Sequence, residues 1–206
     1  MPLIRRDNPE QTAAPALEPL ERLAADLRDP DPERRWSAAR RMGGRPGAAA
    51  HLAAALDHEG EPRVVEAIFT SLARTGGEEA VRVLLPWLRS DDAARRGGAI
   101  EALQMMPDAV DAHMSALLQD SDSDVRILAC ELARTMPRER ATSLLCAMLD
   151  RDDHPNACAS AVDVLVEVGT RDAVPCLERC RERFSRDPFL PFAIAAALES
   201  IRKHAS

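Results

Sequence analysis

One unit recurs through this chain and restricts its fold more than any other feature. Residues 118–149 read LQDSDSDVRILACELARTMPRERATSLLCAML: an Asp/Ser-rich start, a helical run, a break at Pro137 and a second helical run. The same grammar returns as DPDPERRWSAARRMGG, and as HEGEPRVVEAIFTSLARTGG followed by EEAVRVLLPWL. It returns again as SDDAARRGGAIEALQMMP with DAVDAHMSALL, and as DDHPNACASAVDVLVEVG with TRDAVPCLERC. Anchored on the residue that closes each second helix (Leu27, Leu56, Leu88, Leu118, Leu149 and Cys180), the intervals run from 29 to 32 residues. One helix pair cannot bury its apolar face alone, but stacked pairs share a continuous core. The period therefore predicts an all-α, right-handed α-solenoid of about twelve helices, with five pairs between two capping half-repeats.

The ends of the chain fit this scheme. Residues 1–15 hold three prolines and no apolar periodicity, and read as a flexible tail. Residues 16–206 read as a single repeat domain. It opens with the stripe Leu17, Leu20, Leu23 and Leu27 and closes on an unpaired helix from about Pro188 to Lys203. Aromatics are only 3% of the residues, and the apolar content is mostly Ala, Leu and Val, which suits close-packed helices better than sheet. Asp31 and Pro32 mark one helix start, and Gly43–Gly44 its stop. Gly97 and Gly98 fall mid-helix, where each costs about 1 kcal/mol relative to Ala. They imply a close neighbour, a joint or a partner contact.

Charge and cysteine usage narrow the function classes. The net charge is −7, and Lys203 is the one lysine among 27 basic residues. An acidic total disfavours general binding to nucleic acid or anionic membrane. The five cysteines, Cys130, Cys146, Cys158, Cys176 and Cys180, are odd in number and all lie in the second half, which argues against a secreted disulfide framework. The start MPLIRRDNPE has no apolar run of the signal-peptide kind, and no uncharged stretch is long enough to span a bilayer. A soluble, cytoplasmic protein is the expectation.

The units resemble HEAT-like repeats, of the short bacterial type found in phycocyanobilin-lyase-like proteins. The residues that carry the resemblance are the acidic linkers DPDPE, DHEGE, SDDAA, DSDSD and RDDHP. A basic residue follows seven or eight positions after each anchor, at Arg35, Arg63, Arg95 and Arg126, and fails at Asn156. The resemblance covers about residues 16–203. It implies a curved stack with the first helix of each pair outside and the second inside. It also implies a possible role as a bilin lyase or chaperone.

The candidate chemistry is sparse. The acids Asp29, Asp31, Asp57, Asp91, Asp120, Asp122 and Asp152 precede helix starts, where carboxylates accept from unpaired N–H groups. The arginines can bridge these linkers as a structural ladder. Cys176 and Cys180 stand four apart, as do His154 and Cys158, which raises a zinc or cluster site. Cys176 and Cys180 also fall at leucine positions of the other units, so core filling is preferred and no metal is assigned. No Gly-rich phosphate loop, HExxH or GxSxG occurs, so no catalytic residue and no cofactor is assigned. His51 and His113 occupy equal positions five before their anchors. With Arg82, Trp87 and Arg179 they are candidates to line a concave groove suited to a peptide, an acidic partner or a planar anion. The function expected is a non-enzymatic adaptor holding a partner protein or peptide. A bilin lyase is the alternative, and a nucleic-acid-acting solenoid is disfavoured by charge.

Overall fold

A computed structural model describes residues 18–204. The first helix, α1 (Leu20–Asp26), stands alone, and five pairs follow. They are α2 (Pro32–Met42) with α3 (Ala48–Leu56), α4 (Pro62–Thr75) with α5 (Gly77–Leu84), and α6 (Ala93–Gln104) with α7 (Pro107–Leu117). Then come α8 (Ser123–Ala133) with α9 (Arg138–Leu149), and α10 (Pro155–Val168) with α11 (Val174–Arg183). The last helix, α12 (Leu190–His204), is again unpaired. The chain is an all-helical α-solenoid with no strand among the described residues. The tail expected over residues 1–15 lies outside the described residues.

The helices form two layers. First helices α2, α4, α6, α8, α10 and α12 pack in succession, and second helices α3, α5 and α7, then α9 and α11, pack behind them. All six anchors are buried, Leu27, Leu56, Leu88, Leu118, Leu149 and Cys180, which fixes the period of the stack. The core is otherwise small, with Ala38, Ala39, Ala99, Ala129 and Ala161 on the inner faces of first helices. Alanine at these crossings lets helix axes approach closely while leucine fills the space between pairs.

Local chemistry sets the helix ends. Asp31, Asp92 and Asp122 each cap the helix that follows, accepting from Glu33 N at 2.9 Å, Ala94 N at 2.8 Å and Asp124 N at 2.9 Å. The third cap is Asp92 rather than the neighbouring Asp91. Asp57 does not start a helix but closes α3. The α4–α5 turn needs positive φ at Gly76 (70°) and Gly77 (75°), which glycine adopts without a Cβ penalty. The second helix of the first pair starts at Ala48, where Gly47 stands at φ 78° before it. The final helix starts at Leu190 rather than Pro188, where the Asp187 carboxylate accepts from Phe189 N and Leu190 N. Pro86 removes a backbone donor, and α5 tightens into a 3-10 turn over Leu85–Arg89.

Cys176, read as core filling, is joined to a second cysteine. Cys146 on α9, three before its anchor, and Cys176 on α11, four before its own, form a disulfide with Cα atoms 5.5 Å apart where these adjacent second helices pack. Cys130, Cys158 and Cys180 are free and buried. Burial pushes the Cys130 thiol up to about 12.

Candidate functional site

The arginine ladder is sharper than the sequence pattern implies, and it occurs twice. Arg35 grips Glu59 with two hydrogen bonds, Nε to Oε2 at 2.8 Å and a terminal nitrogen to Oε1 at 3.0 Å. Its other terminal nitrogen donates to the carbonyls of Asp29 and Pro30. Arg95 reaches back from α6 to donate to Leu56 O and Glu59 O. Three pairs later Arg126 grips Asp152 the same way, at 2.6 Å and 3.1 Å, and donates to Asp120 O and Ser121 O. There Arg183 takes the part of Arg95, donating to Leu149 O and Asp152 O. Each clamp ties three successive linkers together.

Both carboxylates are only 7% exposed, so their charge persists through these bonds. The bonds from Arg35 hold the Glu59 carboxyl below its usual range against the opposing effect of burial. For Asp152, burial pushes up, but Arg126 and the His154 N–H together hold the carboxyl below its usual range. Arg63, expected in the ladder, lies outside it. Its side chain is exposed, 3.5 Å from Glu33, and stacks over Trp36, which sits between repeats.

The five residues expected to line a groove are dispersed along the second-helix layer. His51 lies half-buried in a cavity of about 590 Å³ between α1 and α3, with Arg28, His58 and the first clamp. Arg82 and Trp87 share a second cavity, of about 340 Å³, on the other flank of α3. Trp87 is a structural ring as well: it meets Phe69 edge-on at 6.4 Å and carries the Arg95 guanidinium at 5.0 Å. Arg82 and His113 converge on one carboxylate, with Arg82 2.9 Å and His113 3.1 Å from Glu78. The hydrogen bond from His113 is the main reason the Glu78 carboxyl is held low. Arg179 stands apart on α11, paired through two hydrogen bonds with Asp150 at 2.8 and 2.9 Å.

The zinc candidates do not converge. Cys176 is bonded to Cys146, while Cys158 donates to Asp152 O at 3.2 Å, and the Cys158 and Cys180 thiols act on each other so that Cys180 is held down and Cys158 up. Among the described residues no group of three or more His, Cys, Asp or Glu is placed to hold a metal. No described helix is long and apolar enough to cross a membrane.

A family model described as HEAT repeats matches residues 13–104 and again 110–202. Each matched segment contains one complete clamp. A search of curated proteins found no match. Among solved structures, a designed armadillo repeat protein in complex with the peptide (KR)4 shares 19% identity at a TM-score of 0.46, covering 89% of this chain and 100% of that one. The complex of CpcE and CpcF of phycocyanin lyase from a Nostoc species shares 16% identity at a TM-score of 0.41, covering 97% and 100%. An engineered protein of no stated function shares 19% identity at a TM-score of 0.41, covering 90% and 97%.

Proposed function

Because the chain belongs to the HEAT-repeat family, we propose that it is a non-enzymatic binding module, an adaptor or accessory factor that holds an acidic segment of a partner protein on its second-helix layer. Stacked repeats offer a long surface carried by rigid helices, with no need of a loop-built pocket. The observation that carries the reading is α3, AAAHLAAAL, which has a cavity on each flank. Its outward residues Ala50, Ala53 and Ala54 leave room for a partner backbone to lie close. On one side of it stand Arg28, His51 and His58, and on the other Arg82, Arg89 and the Trp87 indole. Guanidinium, imidazole and an aromatic face suit carboxylates and the apolar residues between them. His113, hydrogen-bonded to Glu78, and Arg179, paired with Asp150, extend the surface as contacts that a competing carboxylate can reopen.

The test is capture from a lysate of the source cells by the immobilised full chain and by the double variant His51→Glu/Arg82→Glu. Both positions lie outside the core, so the variant is expected to keep the wild-type circular dichroism and melting curve. A protein retained by the wild type and lost by the variant supports the reading. Equal retention by both, or no specific retention at all, overturns it.

A further inference from the structure

Helices α4 and α6, first helices of adjacent pairs, leave a groove of about 500 Å³ between them. Its apolar lining is Val65, Phe69, Ala94, Ala102 and Met105, with the Gly97–Gly98 backbone as part of one wall. The two glycines differ in kind. A Cβ on Gly98 would lie 2.6 Å from Phe69 Cδ2, so the ring occupies the space a side chain would need. A Cβ on Gly97 would meet nothing within 4 Å. No packing among the described residues accounts for Gly97, although a mid-helix glycine costs about 1 kcal/mol. What the missing side chain does is keep the groove open. Met105 stands at the groove 63% exposed, a flexible apolar side chain at the surface.

The charge around the groove is one-sided. Glu66, Asp92 and Glu101 flank it. Arg95, the one cation in the lining, is turned inward to Leu56 O, Glu59 O and the Trp87 ring. Some other surface acids are met by an arginine of an adjacent unit, as Asp111 is by Arg140, Asp120 by Arg89 and Asp150 by Arg179. Glu66 and Glu101 enter no ion pair among the described residues.

We propose that this groove docks a basic amphipathic helix of a partner protein. An aliphatic or aromatic residue of that helix sits over Phe69 in the space beside Gly97. Lysines or arginines one turn away on either side reach Glu66 and Glu101. Helix-in-groove recognition uses anchors at this spacing, and opposite charge on the rim fixes orientation. The surface belongs to the first-helix layer, so it is separate from the acidic-segment site proposed on α3.

The probe is a fluorescein-labelled synthetic helix of about 15 residues, long enough to hold a helix, with leucine on one face and lysine on the other. Its counterpart carries glutamate for lysine. Fluorescence anisotropy with the full chain is expected to show saturable binding of the Leu/Lys peptide only, weakening as salt is raised. Glu66→Lys/Glu101→Lys and Gly97→Leu are each expected to weaken it by roughly tenfold or more. A Cβ at Gly97 meets nothing within 4 Å and leucine gains helix propensity, so Gly97→Leu is expected to melt no lower than the wild type. Arg82→Glu is expected to leave this binding unchanged. Equal binding of the Leu/Glu peptide, or undiminished binding by folded Gly97→Leu, overturns the proposal. Self-association of the free chain that Gly97→Leu abolishes also overturns it, since the occupant is then a second copy.

Discussion

The two halves of the stack carry the same clamp in different surroundings. Around Arg35 and Glu59, the residues one and five before the anchor are Ala55 and His51, both half-buried, and a cavity of about 590 Å³ opens beside the clamp. Around Arg126 and Asp152, the equivalent residues are Met148 and Leu144, both buried, and the matching space shrinks to about 280 Å³. Counting from the arginines of α6 and α8, Gly97 and Gly98 correspond to Leu128 and Ala129. The second half also holds all five cysteines and the Cys146–Cys176 bridge. The clamp sets where the linkers lie, and the size of the residues around it decides whether that frame encloses a cavity or a core. The first half leaves a cavity beside its clamp, and the second half fills most of the matching space.

The largest effect is expected from the clamps. Arg35→Met or Arg126→Met leaves a buried carboxylate without its partner, a loss of about 3 kcal/mol or more by chemical denaturation. Near-equal losses support one shared device, whereas a silent Arg35→Met breaks the equivalence. Next in size is the disulfide. It closes a 30-residue separation, so reduction or Cys146→Ser is expected to cost roughly 3 kcal/mol in the second half alone. A reductant that leaves the melting curve unchanged contradicts this.

A smaller effect comes with acid. Glu59 and Asp152 are both held below their ordinary values of 4.5 and 3.8, so the stability they contribute is complete above those values and is lost as pH falls through the lower folded ones. Denaturant titrations between pH 7 and pH 2 are expected to show stability falling from about pH 4.5 downward, with a shallower fall for Glu59→Gln. The smallest effects sharpen the contrast at the groove. Gly97→Ala is expected to stabilise by about 1 kcal/mol, while Gly98→Ala destabilises by driving its methyl into Phe69.

The repeat was legible because each unit must present buried leucine at one recurring position, and the anchors from Leu27 to Cys180 carry that requirement openly. Arg35, Arg95 and Arg126 were legible as a series for the same reason. Their partners were not. Glu59 and Asp152 look like ordinary linker acids, yet each sits three residues after its anchor and three before a proline, in EGEP and DDHP. Pro62 and Pro155 bring no N–H to the first helical position, and the carboxylates instead accept from Glu61 N and His154 N while facing the arginine. Arg183 was hidden because it comes from the end of a second helix rather than the start of a first. The disulfide was hidden because Cys146 and Cys176 sit where other units place apolar side chains, and only the stacking of α9 on α11 turns that register into a contact. Of the proposed surface residues, His51 could be found by its repeat position, but the cavities beside it depend on the alanines around it.

Amide hydrogen exchange, read by mass spectrometry on the oxidised and the reduced full chain, tests this division of labour most directly. The account requires α9 to α11 to exchange more slowly than α3 to α6 when oxidised, and reduction to remove most of that difference without changing α3 to α6. Uniform protection along the stack in both states would contradict it.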